Sequence, residues 1–527
     1  MMNHLLKSSL IVAIFFGIDK IFGFIRQVLV ARQFSLSYDL DVFNAANNIP
    51  DLLSSLISGG ALGVALIPVL SEYITKNEKN NGWLIFSQIA NLAFLVTGSI
   101  ALFLSVFAPW IVDKIVAPGF PPEQKKLTVE LMRLDLIAIL IFSISGLIMA
   151  GLQANQHFLL PAAAPALYNI GQIIGIVILA PSTGYIIGPI QLPAFGLGIR
   201  GLVYGVIFGA VLHLLVQTPG LIKYGFRWSP QIQIKLIKIY IQNLRIKFVM
   251  DIKHPGVRKV LSLLGPRVMT MLFIQLFFII RDNLASKLGE GSVTALNYGW
   301  FIMQVPETLI GTATAIVLLP TISELFASGQ IDKFTLTINT AVKFVLALTI
   351  PCALLLIATI EPMIKMVFDF DVAGTQLVTA ATRMYLLGLA GHALLEIATR
   401  SFYAQQNAKI PLYAAAFNAA FYFIFANIFS SLWGVVGIAL ANVTVFTLEA
   451  LILFLILNYK FRGIFSIHKT FLRVLLASVV ISTGLYSANL ILNITPLAIS
   501  ILGIGIGSLL MIPVILPELK IIYNLKI

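Results

Sequence analysis

Runs such as "SIALFLSVFAPWIV" at 99–112 and "FVLALTIPCALLLIATI" at 344–360 recur along this chain, each carrying no charged residue and each too long for an ordinary buried strand. About twenty apolar residues in helical conformation cross the hydrocarbon of a bilayer. There no water is present to satisfy backbone N–H and C=O groups, so a span must close its own hydrogen bonds as a helix or join a closed barrel. Continuous apolar text, without the alternation of a barrel strand, selects the helix. With 59% of residues hydrophobic and 11% charged, the whole chain obeys this constraint and not merely a segment of it. The fold class is therefore an all-α polytopic membrane protein.

Spans are expected near 8–34, 40–73, 82–114, 127–154, 159–181, 195–223, 258–288, 293–326, 333–360, 376–406, 411–432, 435–459, 467–493 and 495–516, about fourteen in all. Basic residues then set orientation. Lys76, Lys79, Lys409, Lys460, Arg462, Lys469, Arg473, Lys520 and Lys526 all fall on one side if the N-terminus is cytoplasmic, and the C-terminus is then cytoplasmic too. Between spans 6 and 7, nine lysines and arginines from Lys223 to Lys259 are opposed only by Asp251, which places this linker inside. Within it Lys235, Lys238, Gln242 and Arg245 share one helical face and Ile234, Ile237, Ile241, Leu244 and Phe248 another. That is the pattern of a helix lying along the headgroups, preferred here to an alternating strand. On the opposite side Lys125 and Lys126 break the rule, flanked by Glu123 and Glu130.

A net charge of +13 raises the question of nucleic acid, but the bases sit between spans, where membrane anchoring explains them. One cysteine, Cys352, excludes an internal disulfide, and six scattered histidines lack metal-ligand spacing, so neither a metal nor a cofactor is expected. The N-terminus has the basic and apolar regions of a signal peptide, but no small-residue cleavage site follows, so it reads as a retained first span.

The text also repeats. "RQVLVAR" at 26–32 returns as "RDNLASK" at 281–287, "PVLSE" at 68–72 as "PTISE" at 320–324, "ANQHFLLP" at 154–161 as "AQQNAKIP" at 404–411, and "GIRGL" at 198–202 as "GVVGI" at 434–438. The order is kept and the offset stays between 236 and 255 residues. Two six-helix halves follow, with a two-helix tail: 1–224, a basic linker 225–257, 258–460 and 461–527. An even number of spans per half gives both the same orientation, which predicts parallel repeats with a site near mid-membrane.

Ionisable groups inside these spans need an explanation, because each costs about 2.5–3.5 kcal/mol at the bilayer centre. "GIDKIFGFIRQVLVARQF" at 17–34 holds Asp19, Lys20, Arg26 and Arg32. Asp19 and Arg26, seven apart, share a face and can partly neutralise each other. Asp41, Asn44, Asn48 and Asp51 form a polar stripe on the second span, leading to Ser54, Ser55 and Ser58 past the helix-interrupting Pro50. Arg281 is the repeat counterpart of Arg26, and Asn297, Tyr298, Gln304 and Glu307 give the eighth span a weaker polar face. One reading is a set of structural ion pairs. The other is a hydrated cavity, favoured because Lys20, Arg26, Arg32, Arg281 and Lys287 outnumber Asp19, Asp41 and Asp282. A cationic cavity suits an anionic cargo, and arginine offers bidentate bonds to phosphate.

"KIFGFIR" at 20–26, "DVFNAANNIPDLL" at 41–53, "APGF" at 117–120, "PAAAPALYN" at 161–169, "HPGVRKVLSLLGPR" at 254–267 and "FYAQQNAKIP" at 402–411 resemble the MurJ/MviN lipid II flippases of the multidrug/oligosaccharidyl-lipid/polysaccharide exporter superfamily. The resemblance covers nearly the whole chain. It implies a V-shaped transporter of two six-helix lobes, in the bacterial cytoplasmic (inner) membrane, that carries the undecaprenyl-pyrophosphate-linked peptidoglycan precursor to the outer leaflet by alternating access, with no enzymatic step. It implies a groove for the lipid tail at the last two helices, about 467–516, and partners among membrane lipids and cell-wall synthesis proteins. The family's helix-1 arginine matches Arg26 and its helix-2 aspartate Asp41. The expected substrate-binding set is Lys20, Arg26, Asp41, Asn44, Asn48, Asp51 and Arg281. Departures are Lys20 for a second arginine, Gln27 for an acid, and Ser54 and Phe301 where some members carry arginine. Some members bind sodium, and by resemblance Asp282, Asn418 and Thr444 are the matching positions, with Tyr422 where a further ligand would sit. Coupling to Na+, H+ or the membrane potential stays open.

Two alternatives lie within transport: a flippase for another polyprenyl-linked oligosaccharide, and a cation-coupled drug exporter, which predicts an acidic, aromatic cavity. From other classes, Asp369 and Asp371 in "FDFDVAG" form a D-x-D that a metal-dependent glycosyltransferase would use, against the plainer reading of a solvated loop, and a scaffold role leaves the buried charges unexplained. Glu396, Arg400 and Glu449 read as pairing groups.

Overall fold

A computed structural model describes residues 2–57, 61–76, 78–226, 269, 272–491 and 496–524. The expected amphipathic linker helix lies outside them. Helices dominate: α1 Met2–Phe34, α2 Tyr38–Ile57, α3 Ala61–Thr75, α4 Lys79–Ile111, α5 Pro122–Ala154, α6 Leu159–Ile174, α7 Ile199–Lys223, α8 at 272–285, α9 Ser292–Glu307, α10 Ala313–Ala327, α11 Ile331–Phe368, α12 Val372–Leu387, α13 Leu389–Ala404, α14 Lys409–Lys460, α15 His468–Ile491 and α16 Pro496–Asn524. The departure from all-α is one short antiparallel hairpin, β1 Ile186–Ile187 with β2 Ile190–Gln191, in the connection from α6 to α7.

Among the described residues nine helical stretches are long and apolar enough to cross a membrane. One of them, α14, has 52 residues, which as one rod would measure about 78 Å at 1.5 Å per residue against a hydrocarbon core of about 30 Å. It is broken at Gly434, whose φ of 57° and ψ of −130° leave helical space, so it holds two expected spans that meet at a kink rather than one rod. The other expected spans that this hydropathy criterion passes over are α1, α2 with α3, α8, and α12 with α13, and these carry the polar groups of interest or are only partly described.

The chain separates into two compact units, one of Met1–Phe34 with Tyr38–Ile279, the other of Ser35–Ser37 with Ile280–Ile527. In the first, α5 packs against α2, α3, α4 and α7, while α6 packs against α1 and α7. Leu66, Leu70, Phe86, Ile89, Leu147 and Leu221 form one buried cluster. Where α6 and α7 meet, a Cβ on Gly175 would stand 2.6 Å from the Gly205 Cα, so the helices approach as closely as they do only because neither residue has a side chain.

In the second unit α11 is central, packed by α10, α12, α13, α15 and α16. Its Phe334, Ile338 and Val345 join Phe454 and Leu457 of α14 in a cluster that also takes in Val474 of α15 and Met511 of α16. The two-helix tail is thus built into this core. Glu518, buried on α16, accepts from Arg473 Nη2 at 2.6 Å and from Thr470 Oγ1 at 2.9 Å and so ties the tail helices together.

The sequence repeat reappears as repeated backbone. Gly198 has φ 56° and ψ −137°, within a few degrees of Gly434, and each opens a helix. Gln156 and Gln406, both non-glycine residues, have φ of 58° and 57°. Around them the same turn recurs: Gln156 N donates to Gln153 O and Gln406 N to Tyr403 O, each at 2.9 Å, while His157 N reaches Leu152 O at 2.9 Å and Asn407 N reaches Phe402 O at 3.0 Å.

Candidate functional site

The polar face of α1 meets α6. Asn169 Nδ2 donates to Asp19 Oδ1 at 2.8 Å, and Arg26 Nη1 donates to Gln172 Oε1 at 3.2 Å. Asp19 and Arg26 were expected to neutralise each other; instead each is held by an amide on α6, because residues three apart there match the α1 face. The Gln172 Nε2 is buried and has no hydrogen-bond partner, so a second donor stands beside the half-buried guanidinium. Lys20 is exposed on the same helix.

On α2 the expected stripe passes from enclosed to open. Asp41 is fully buried, Asn44 half-buried, and Asn48 buried with its Nδ2 donating to Ala45 O at 3.3 Å. Asp51 and Ser54 reach an open-sided cavity of about 320 Å³ lined by α2, α5, α6 and α7. Asp135 of α5, Tyr168 of α6 and His213 of α7 complete its polar lining. Asp51 is exposed where it borders this cavity. Its carboxyl interacts electrostatically with Arg26 and with Asp135. Behind the wall, His213 Nδ1 lies 2.6 Å from Ser145 Oγ and 3.2 Å from Gln217 Nε2. Gln217 Nε2 also donates to His213 O at 2.8 Å and to Ser145 Oγ at 3.2 Å, so His213, Ser145 and Gln217 form one buried network. Asp135 and His213 were not singled out from the sequence, although each interrupts an apolar run ("LDLIAIL", "VLHLLV") at a cost the bilayer makes large.

In the second unit Arg281 is buried in company. Its Nε donates to Asp282 Oδ1 at 2.7 Å, its Nη2 to Asn297 Oδ1, and Tyr385 and Tyr422 lie within electrostatic reach. The expected surplus of guanidinium groups is therefore corrected: Asp282 balances Arg281, and the cavity of the first unit holds two carboxylates near Arg26. The count from sequence went wrong because it left Asp51 and Asp135 out. Of the three positions matched to a sodium site, Asp282 pairs with Arg281 and Thr444 donates to the Leu440 carbonyl at 2.8 Å, while Asn418 donates its Nδ2 to Glu449 Oε2 and keeps its Oδ1 buried without a partner.

Other groups take simple roles. Asp371 caps α12, accepting from Gly374 N at 2.9 Å, and Asp369 pairs with Lys365 at 3.3 Å on the surface, which accounts for both acids of the D-x-D without a metal. Glu396 pairs with Arg400 at 2.8 Å. Lys125 is matched by Asp113 at 2.6 Å, not by the glutamates flanking it, and Glu130 by Arg200 at 2.6 Å.

A polytopic, all-helical chain made of a repeated bundle, with ionisable groups gathered at helix interfaces and around an internal cavity, is a membrane transporter by architecture. A sequence model of the lipid II flippase MurJ family matches residues 30–511, and the chain belongs to that family. The lipid II flippase MurJ of Burkholderia cenocepacia is 28% identical over 475 residues, 89% of this chain and 86% of that protein. The probable lipid II flippase MurJ of Vibrio cholerae is 27% identical over 84% of this chain and 80% of its own length. In fold the chain resembles a solved lipid II flippase MurJ in an inward closed conformation, with TM-score 0.76, 24% identity and coverage of 98% of this chain and 99% of that one. An inward-facing multidrug resistance MATE family transporter of the MOP superfamily follows the same fold at TM-score 0.66 and 13% identity, over 85% of this chain and 95% of its own.

Proposed function

We propose that this chain is a lipid II flippase that moves the undecaprenyl-pyrophosphate-linked peptidoglycan precursor from the inner to the outer leaflet of the bacterial cytoplasmic membrane by alternating access. The observation that carries the reading is the family match over residues 30–511, which takes in all of α2 and nearly all of the repeated bundle that follows α1. The chain works as a transporter, with lipid II and membrane lipids as its partners and both termini in the cytoplasm.

Arg26 is the group assigned to the pyrophosphate. Its guanidinium and the unpartnered Gln172 Nε2 offer adjacent donors, and a phosphate oxygen accepts from both where amide and guanidinium alone leave one unsatisfied. Lys20, Asn44 and Asp51 line the path that keeps the headgroup hydrated, Asp41 and Asn48 are buried in the packing of α2, and Arg281 holds the corresponding helix of the second unit through its carboxylate and amide partners. The test is lipid II translocation in reconstituted vesicles. Arg26→Ala should lower the rate at least tenfold with insertion intact, Gln172→Ala should weaken it less, and wild-type flipping by Arg26→Ala would remove the role given to Arg26.

A further inference from the structure

The cavity of the first unit is larger than an ion pair requires and differently charged from a phosphate site. At about 30 Å³ per molecule of liquid water, its volume of about 320 Å³ has room for about ten waters. Asp135, only 4% exposed, presents to it a carboxylate whose Oδ1 has no hydrogen-bond partner. A buried carboxylate oxygen without a donor is a costly feature, more so within a membrane, and it is the oxygen on which a proton adds a bond and removes a charge.

The groups facing Asp135 come from every helix around the cavity. Asp51 is on α2, with Arg26 of α1 acting on it electrostatically; Tyr168 is on α6; His213 of α7 has Nδ1 engaged by Ser145 and Gln217, so that Nε2 is the ring nitrogen left for the cavity. Among the described residues no three His, Cys, Asp or Glu side chains gather as a metal ion would need.

We propose that this cavity is a proton-binding site, in which water delivers a proton to the Asp135 carboxyl, with Asp51 as the carboxylate that shares it and His213 as the polar wall that orients the water. Uptake breaks one O–H bond of a hydronium ion, leaving water, and forms one on the carboxylate, which goes from −1 to neutral. Loading removes one negative charge from the carboxylate pair beside Arg26, so an anion at the guanidinium meets less repulsion, and by linkage an anion at Arg26 favours protonation. This last step rests on the flippase reading; the binding of the proton does not.

The experiment reads binding without transport. The full chain in lipid nanodiscs is titrated from acid to alkaline pH by infrared difference spectroscopy, following the carbonyl stretch of neutral carboxyl groups, for the wild type, Asp135→Asn and Asp51→Asn. A neutral-carboxyl band that persists above the ordinary carboxylate range and vanishes in Asp135→Asn supports the site. Removing the charge of Asp51 should lower that band's midpoint by about one pH unit, as for interacting carboxylates. If Asp135→Asn fails to fold, the Asp51→Asn shift carries the decision. An unshifted midpoint there, a band untouched by Asp135→Asn, or a band abolished at fixed pH by sodium chloride in place of choline chloride overturns the proposal, the last in favour of a metal cation. Loss of flipping in Arg26→Ala with the band retained separates this site from the anion site.

Discussion

Arg281 and Asp282 are neighbours in sequence, both almost wholly buried, and joined through Nε and Oδ1 at 2.7 Å. Truncating one partner of such a pair leaves the other charged in a medium that does not solvate it, a loss of about 3–5 kcal/mol, far more than a surface pair is worth. Asp282→Ala should therefore lower the thermal midpoint in detergent strongly, and Asp282→Asn less, because an amide still offers Arg281 an acceptor. Equal midpoints for wild type and Asp282→Ala would show that the pair does not hold α8. At this scale the sequence was legible where polar groups crowd: Arg26, Asp51 and Arg281 stand out as stripes or repeat counterparts. It was opaque where a single polar residue sits in apolar text. Asp135 and His213 gain meaning only when α5 and α7 bring them to one cavity, and a charge count along the chain has no access to which carboxylate faces which guanidinium.

Elements were legible to the extent that their ends were chemically marked. Pro121 and Pro122 start α5, and glycine ends the expected spans on either side of 434. Period alone does not place such boundaries: without the positive φ of Gly434 the stretch 409–460 reads as one rod, and without Gly198 the start of α7 drifts into the preceding loop. The repeat makes these two glycines a matched pair, each followed three residues later by a glycine whose Cβ would collide with the helix before it, Gly201 with Ala180 and Gly437 with Phe429. Their backbone angles belong to a region that side chains avoid at a cost of about 1–3 kcal/mol. Gly434→Ala and Gly198→Ala should each destabilise by that amount in thermal melts, and by similar amounts if the two copies share a local structure. A large loss at one and none at the other would mean that the conformations agree but the packing that enforces them does not.

For the whole molecule, orientation follows from counting. If the N-terminus is inside, as proposed, each span reverses the side, and the connections carrying Lys76, Lys409 and Lys460 are all expected in the cytoplasm, where an excess of bases favours them. The same count places the hairpin at Ile186–Gln191 outside and the turn at Ser328 inside. Both are testable in a Cys352→Ser background, which has no other thiol. Ile190→Cys, at a site 63% exposed, should react with a membrane-impermeant maleimide on intact spheroplasts. Ser328→Cys, also exposed, should react only after the membrane is opened. The reverse pattern would invert the chain and put the basic linker outside. Labelling of both sites from one side would mean that the number of crossings between them is even, which contradicts the three spans made by α7, α8 and α9 with α10, and with it the six-helix half on which the parallel repeat depends.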